Sequence, residues 1–125
     1  MSILVNDTGF VPDDAAGDIA LDLPSDADPS TLDLSDTIQM IRVDFPNFAD
    51  GRGFSIARQL RLRGYSGRLR ASGHVIADQY AMARRAGFDE VEISADLAAR
   101  QPEADWLARA HWQEGDYQAR LRGVI

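Results

Sequence analysis

The chain contains no cysteine. This absence excludes disulfides, thiolate nucleophiles, zinc sites built on cysteine and iron–sulfur clusters held by cysteine. A chain without disulfides is typical of a reducing compartment. The N-terminus has neither the basic segment nor the long apolar core of a secretory signal, and no apolar run approaches the length of a membrane span. We therefore expect a cytoplasmic protein that does not have a membrane as a partner.

Lysine is absent too, so all 13 basic residues are arginines. The net charge of −7 is distributed unevenly: residues 1–50 carry eleven acidic side chains and one arginine, whereas residues 51–88 carry eight arginines and one aspartate. The basic segment can pair with the acidic half of the chain, or it can bind an anionic ligand or an acidic partner. Nucleic acid is not an expected partner, because the overall charge repels phosphate and no nucleic-acid motif is present.

Histidine is scarce, with two residues in the chain, and a metal site is therefore not predicted. His74 and Asp78 lie four residues apart at the predicted start of a helix, where we expect His74 to cap the helix and Asp78 to face its positive end. No Ser/His/Asp nucleophile set and no nicotinamide or flavin fingerprint is recognisable. The sequence therefore identifies neither a catalytic residue nor a cofactor.

The 125 residues, 45% of them hydrophobic, predict one domain with a buried core. This domain, 1–125, divides into an acidic N-terminal part of strands and loops (1–37), a strand–helix core (38–94) and a C-terminal helical segment (95–125). Within the N-terminal part, the apolar stretches 3–5 and 19–23 are predicted as edge strands and residues 28–32 as a short helix.

The core alternates between strand and helix patterns. Strands are predicted at 38–45, 67–73 and 89–94, and helices at 53–64 and 75–87. Residues 102–122 are predicted as one helix or two. Strands that recur after each helix are typical of parallel crossover units. The predicted fold class is α/β, a small, mainly parallel sheet with helices packed on it, either part of a barrel or open.

Ligands bind at the carboxyl ends of strands in parallel α/β sheets. Polar residues occur at or after the ends of all three core strands: Asp44, Asn47, Asp50 and Arg52 at the first, Arg70, Ser72 and His74 at the second, and Ser94 and Asp96 at the third. Side chains from adjacent strand ends can converge on one site.

The stretch FADGRGFS (48–55) joins a predicted strand to a predicted helix. Its glycines and the helix start can present backbone amides to an anion. It matches neither the P-loop nor the three-glycine dinucleotide fingerprint. A tight turn capped by an aspartate or a serine is the alternative interpretation.

Arg70 also has two interpretations, because a parallel strand between helices is usually buried on both faces and a buried arginine needs a partner. The first is an ion pair with Asp44 on the neighbouring strand. The second is an oxyanion site that Arg70 forms together with Arg52, since the guanidinium fork suits oxyanions. We favour the ion pair, with which anion binding can coexist.

Residues 41–93 contain an ordered series of short motifs: Phe45-Pro46, Asp50 to Ser55, Leu60-Arg61, Leu69-Arg70-Ala71, Gly73, Asp78-Gln79 and Gly87-Phe88-Asp89. In this series the chain closely resembles the bacterial domain-of-unknown-function family numbered nine hundred and thirty-four. Members of that family often lie beside genes for sulfite reductase and phosphoadenylylsulfate reductase, and they carry the label of an oxidoreductase involved in sulfite reduction. The resemblance implies a role in sulfur assimilation, where sulfate, sulfite and nucleotide sulfates are anions.

The chain departs from the family pattern at three positions. His74 and Ala77 stand where aspartate and arginine are common, and Ala86 stands where cysteine often occurs. The last departure argues against a thiol mechanism in this chain.

Three functions remain open after this comparison. The first is an accessory protein of assimilatory sulfate or sulfite reduction that binds an anion, a nucleotide or one of the two reductases. The second is an oxidoreductase with a non-covalent cofactor, and the third is a structural subunit of unknown oligomeric state. The candidate ligand-binding residues are Asp44, Asn47, Asp50, Arg52, Ser55, Arg70, His74, Asp78 and Gln79.

Overall fold

Six strands and four α-helices make up the described part of the computed structural model, which comprises residues 2–12, 21–32, 34, 38–110 and 112. The strands are β1 (Ser2–Asn6), β2 (Gly9–Val11), β3 (Leu21–Leu23), β4 (Met40–Phe45), β5 (Arg68–Gly73) and β6 (Glu90–Ser94). The helices are α1 (Arg52–Leu62), α2 (Tyr80–Ala86), α3 (Ala95–Arg100) and α4 (Glu103–Leu107), with short 3-10 helices at Pro29–Thr31 and Ala77–Gln79.

The strands form one sheet in the order β2-β1-β6-β5-β4-β3. Strands β3 to β6 are parallel and lie in chain order, whereas β1 pairs antiparallel with β6 and β2 pairs antiparallel with β1. The predicted α/β class with a mainly parallel sheet is thereby confirmed. Across the described strands the sheet is open, with β2 and β3 at its edges.

The helices cover one face of the sheet. Right-handed connections between strands that advance in a single direction place their helices on the same face. The shared core contains Val5, Ile41, Val43, Phe45, Leu69, Ala71, Val91 and Ile93 from the sheet and Ile56, Leu60, Tyr80, Ala83 and Trp106 from the helices. Trp106 of α4 reaches this core through an edge-to-face contact with Tyr80 of α2. The described part of the chain therefore forms two layers, the sheet and the helices on one of its faces. The other face of the sheet carries charged side chains.

The N-terminal strands differ from the prediction in two respects. Strand β1 contains the predicted stretch 3–5, but it lies between β2 and β6 and is not an edge strand. Its adjacent apolar residues Leu4 and Val5 are both buried, as an interior strand requires. Strand β2, which pairs with β1 through the turn at residues 7–8, was not predicted. Strand β3 is the edge strand expected within 19–23, and residues 19 and 20 lie outside the described part.

The predicted short helix at 28–32 is confirmed as the 3-10 helix Pro29–Thr31, with Asp28 accepting a hydrogen bond from the backbone N–H of Ser30. The helix predicted at 75–87 begins later, because the chain stays extended at Ile76 before the 3-10 helix Ala77–Gln79. His74 therefore does not cap a helix.

The C-terminal prediction is confirmed only in part. Helix α4 begins within the predicted segment 102–122 but ends at Leu107. Residues 111 and 113–125 lie outside the described part of the chain, so the remainder of that prediction falls there. Helix α3 was not predicted, and it determines the position of Arg100 described below.

Candidate functional site

The face of the sheet opposite the helices carries a row of alternating charges. Side chains alternate along a strand, so residues two apart share a face. Hydrogen-bonded ion pairs run across four strands in the order Asp22, Arg42, Glu92, Arg70, Glu90 and Arg68. These six residues, which we call the charge ladder, contribute three positive and three negative charges.

One end of the charge ladder is partly exposed. Arg42 donates from Nε and Nη2 to the two carboxylate oxygens of Asp22, both at 2.7 Å, and from Nη1 to Glu92 at 3.1 Å. The hydrogen bonds with Arg42 lower the pKa of Asp22, and the hydrogen bonds with Asp22 raise the pKa of Arg42. This geometry is the bidentate pairing for which arginine is suited.

Arg70 lies at the buried centre of the charge ladder. Its Nε donates to Glu90 at 2.6 Å and its Nη1 donates to Glu92 at 2.8 Å. The Arg70 residue has 0% relative exposure, and Glu90 and Glu92 are 5% and 8% exposed. Charges at this depth are tolerated when they are paired and hydrogen-bonded. The two glutamates therefore supply much of what a buried guanidinium requires.

The expected ion pair of Arg70 is present, but Asp44 is not its partner. The register of β4 and β5 places Asp44 opposite Ser72 and Arg42 opposite Arg70. Asp44 is exposed and does not orient Arg70. A direct role of Arg70 in ligand binding stays a prediction, because every contact described for its guanidinium belongs to the charge ladder.

Sequence reasoning missed Glu90 and Glu92. A signal was available, since Arg68 and Arg70 alternate on β5 in the same way as the two glutamates alternate on the next strand. Two alternating rows of opposite charge on adjacent strands indicate a polar sheet face. The expectation that helices cover both faces of the sheet concealed this signal.

The FADGRGFS loop is held by its own side chains. Asp50 Oδ1 accepts from the backbone N–H of Arg52 at 3.1 Å and from its Nε at 2.9 Å, and Oδ2 accepts from Nη2 at 2.7 Å. Asn47 Oδ1 accepts from the backbone N–H of Ala49 at 2.9 Å. The hydrogen bonds with Arg52 lower the pKa of Asp50. These contacts are those of a tight turn.

Arg52 and Arg70 have separate partners. Nη2 of Arg52 also donates to Ser25, which follows β3, at 3.0 Å. Arg52 thus connects the ends of β3 and β4, whereas Arg70 pairs with two residues of β6. In the described structure the two guanidinium groups share no partner.

The remaining candidates lie at different places around the strand ends. The Gln79 side-chain amide donates to the carbonyl of Phe48 at 2.7 Å, so it fastens the FADGRGFS loop to the start of α2. Asp78 is exposed and pairs with Arg109 at 2.8 Å. Ser55 is exposed on α1. Gln79 is thus attached to the loop that contains Asp50 and Arg52, whereas Asp78 pairs with a residue outside the candidate set.

A cleft of about 270 Å³ opens where β5 and β6 end. Its lining consists of Gly73, His74, Ser94, Asp96, Leu97 and Arg100, and we call it the strand-end cleft. Helix α3 forms one wall, and Ser94 Oγ caps this helix by accepting from the backbone N–H of Leu97 at 3.1 Å. Arg100 is exposed at the last position of α3 and forms no ion pair within the described part of the chain.

The strand-end cleft contains side chains that can bind an oxyanion. The guanidinium of Arg100 supplies a forked donor, the Ser94 hydroxyl supplies an O–H and the imidazole of His74 supplies an N–H. Asp96 adds one negative charge, which favours a ligand that also carries a hydrogen-bond donor. Of the nine candidate ligand-binding residues this cleft contains His74, and it also contains Ser94 and Asp96, the polar residues noted in the sequence at the end of the third core strand.

The described residues include no group of three or more His, Cys, Asp or Glu side chains placed to hold a metal ion. Among the helices that the structure describes, none has the length and apolar character needed to cross a membrane.

A family model described as "Bacterial protein of unknown function (DUF934)" matches residues 20–124, which is more than half of the chain. The match includes all of the charge ladder and all of the strand-end cleft. Neither the curated proteins nor the solved structures contain a match to the chain.

Proposed function

The chain belongs to the DUF934 family of bacterial proteins, and from this premise we propose that it is an accessory protein of assimilatory sulfate or sulfite reduction. Its action in this proposal is binding. The ligand is a small sulfur oxyanion or a nucleotide that carries a sulfate, and the protein partner is sulfite reductase or phosphoadenylylsulfate reductase. The strand-end cleft is the proposed ligand site.

The observation that supports this proposal most directly is the state of Arg100. Arg52 and Arg70 donate to carboxylates of the chain, whereas Arg100 forms no ion pair within the described residues. It lines a cleft at the carboxyl ends of two parallel strands, where ligands bind in α/β sheets. A guanidinium without a carboxylate partner at this position is suited to an oxyanion.

A thermal-shift screen tests the proposal. The ligands are sulfate, sulfite, adenylylsulfate and phosphoadenylylsulfate, each compared with chloride at equal ionic strength. A ligand that binds the native state stabilises it by about 2.7 kcal/mol at a hundredfold excess over its Kd. We expect one of these anions to raise the melting temperature of the wild-type protein.

Two matched variants locate the site. Arg100→Gln removes the proposed ligand contact, and Arg58→Gln removes the charge of another exposed arginine that forms no ion pair in the described structure. We expect the ligand-induced shift to disappear in Arg100→Gln and to persist in Arg58→Gln. Equal shifts in both variants, or no shift of the wild-type protein with any of the four anions, contradict the proposal.

A further inference from the structure

Helices α1 and α2 present a surface that combines exposed apolar side chains with arginines. Leu62 and Met82 are 80% and 55% exposed. Arg58 and Arg85 are exposed beside them, and Phe54 is half-buried. We call these five residues the α1–α2 surface. Large apolar side chains that are grouped and exposed often mark an interaction site.

The charge of this surface is one-sided. The sequences of α1 and α2, RGFSIARQLRL and YAMARRA, contain five arginines and no acidic residue. Three of these arginines pair with carboxylates elsewhere: Arg52 with Asp50, Arg61 with Asp89 and Arg84 with Asp7.

The other two arginines, Arg58 and Arg85, pair with no carboxylate in the described structure. Arg85 donates to the backbone carbonyl of Trp112 at 3.1 Å, and that contact leaves its charge uncompensated. The positive charge that the fold leaves without an internal partner on these helices is therefore concentrated on the α1–α2 surface.

A groove between the two helices lies within this surface. It has a volume of about 240 Å³ and is lined by Phe54, Ser55, Arg58, Met82, Arg85 and Ala86. This volume is smaller than the pockets that enclose drug-sized ligands. It suits an apolar side chain inserted from a partner, flanked by arginines that contact acidic groups on either side.

We propose that the α1–α2 surface docks an acidic segment of a partner protein, with an apolar side chain of that segment inserted between Phe54 and Met82. Charge complementarity carries the choice of occupant, because the surface has two uncompensated arginines and no acidic side chain. The net charge of −7 opposes long-range attraction of the whole protein to a nucleic acid or an anionic membrane. A short acidic segment interacts with the local charge instead.

This inference goes beyond the proposed anion site, because the α1–α2 surface lies on the helical layer and shares no residue with the strand-end cleft. The two proposals can therefore fail separately. A wild-type protein that shows the anion-induced thermal shift but binds no peptide contradicts only the proposed docking surface. A wild-type protein that binds peptides but shows no thermal shift contradicts only the proposed anion site in the cleft.

The test is binding of the full chain to a library of fluorescent twelve-residue peptides, measured by anisotropy. Each peptide carries acidic residues around a central Leu or Phe, and two control sets replace either the acids by Gln or the central residue by Ser. We expect peptides of the first set to bind and both control sets to bind more weakly.

Matched charge reversals locate the binding surface. Arg58→Glu and Arg85→Glu alter the α1–α2 surface, whereas Arg100→Glu makes the same change of charge in the strand-end cleft. We expect each of the first two variants to weaken peptide binding about fivefold to tenfold, because the change from arginine to glutamate turns an attractive exposed charge pair into a repulsive one. We expect Arg100→Glu to leave it unchanged. Met82→Ser, which retains all charges, is expected to weaken binding as well.

Four results would overturn the inference. The first is the absence of peptide binding at millimolar concentration, and the second is an equal effect of all three charge reversals. The third is binding to phosphatidylserine vesicles or to single-stranded DNA that Arg58→Glu abolishes while the peptides do not bind. The fourth is a dimer in sedimentation that Arg58→Glu dissociates, which would assign the surface to a second copy of the chain.

Discussion

Nε of Arg70 and Oε2 of Glu90 lie 2.6 Å apart, on adjacent parallel strands, at a position where the arginine has no exposed surface. The register of β5 and β6 places the two residues directly opposite each other. Glu92 accepts from the same guanidinium, so a single arginine joins two acids of the neighbouring strand. Ion pairs therefore hold the side chains together on this face of the sheet, whereas apolar packing does so on the face under the helices.

The first prediction concerns the dependence of the fold on this buried charge. Arg70→Met leaves Glu90 and Glu92 without their central partner, and loss of one member of a buried ion pair typically costs about 3–5 kcal/mol of unfolding free energy. Arg42→Met removes a guanidinium at the partly exposed end of the charge ladder, where we expect a loss of about 1 kcal/mol. Urea unfolding monitored by circular dichroism measures both changes.

The double variant Arg70→Met/Glu90→Gln tests whether the cost arises from an uncompensated charge. We expect it to be more stable than the sum of the two single changes predicts, with a coupling of about 0.5–3 kcal/mol. Equal losses in Arg70→Met and Arg42→Met, or additive losses in the double variant, contradict this interpretation of the charge ladder.

The charge ladder also explains why sequence reasoning assigned the wrong partner to Arg70. The strand and helix patterns were sufficient for β4, α1, β5 and β6, because each has a clear hydrophobic period; a glycine or a proline also marks the ends of β4, α1 and β5. Partner choice depends on register, which places Ser72 opposite Asp44. The expected pairing of Asp44 with Arg70 differs from this register by two residues, and such a shift leaves every side chain on its own face, so the hydrophobic pattern does not exclude it.

The position of the strand-end cleft could be predicted from the sequence more fully than its lining residues. The rule for parallel sheets points to the strand ends and to His74. Arg100 was missed because it depends on α3, a six-residue helix that follows β6 directly. A helix this short has too few turns to produce a recognisable period in the sequence, and its start is indicated only by the Ser94 cap.

The second prediction concerns Arg61, whose guanidinium uses all of its donors. It donates to the backbone carbonyls of Gly87, Tyr65 and Gly67 and to the carboxylate of Asp89, at 2.7–3.0 Å. Lysine has no planar fork and cannot reproduce these contacts. We expect Arg61→Lys to lower the free energy of unfolding by about 1–3 kcal/mol.

Arg58→Lys is the matched control for Arg61→Lys, since Arg58 is exposed on the same helix and forms no ion pair in the described structure. We expect its unfolding free energy to stay within about 0.5 kcal/mol of the wild type. Chemical denaturation of the two variants side by side provides the comparison. If Arg61→Lys proves as stable as Arg58→Lys, the five hydrogen bonds contribute little to the fold.

The third prediction addresses the glycines of the FADGRGFS loop. A Cβ at Gly53 would clash with the Phe45 ring, whereas a Cβ at Gly51 would have its nearest neighbour at 3.9 Å. Phe45 cannot retreat easily, because Phe54 and Phe88 contact its ring at centroid distances of 5.0 and 5.8 Å. We therefore expect Gly53→Ala to destabilise the protein by about 1–3 kcal/mol through overpacking.

Gly51→Ser is the companion variant in the same loop. Serine is a favoured residue at the N-cap position that Gly51 occupies, so we expect no loss beyond about 0.5 kcal/mol. Thermal unfolding of both variants tests whether close packing against Phe45 is the reason for Gly53. A Gly53→Ala variant with an unchanged melting temperature would show that the aromatic cluster adjusts, and packing would not explain this glycine.

The fourth prediction is a pH dependence that arises at Asp7. Burial alone would raise the pKa of Asp7, but hydrogen bonds from Tyr80 at 2.5 Å, from Arg84 at 3.2 Å and from Trp112 at 3.3 Å outweigh it and lower this pKa. The unfolded chain therefore binds a proton at Asp7 more readily than the folded protein does. The resulting stability is fully present above the unfolded pKa near 4 and is lost as the pH falls through the folded pKa.

Asp7→Asn removes this titration and weakens the contacts to Tyr80 and Arg84. The side chain of Asp7 is 41% exposed, so after allowance for solvent screening we expect a loss of about 1 kcal/mol at pH 7. Between pH 5 and pH 2 the wild type should lose stability more steeply than Asp7→Asn, and the two unfolding curves should converge. Urea denaturation at several pH values, monitored by tryptophan fluorescence, measures this difference. Parallel losses of stability with pH in the two proteins would mean that Asp7 does not contribute to the acid sensitivity of the fold.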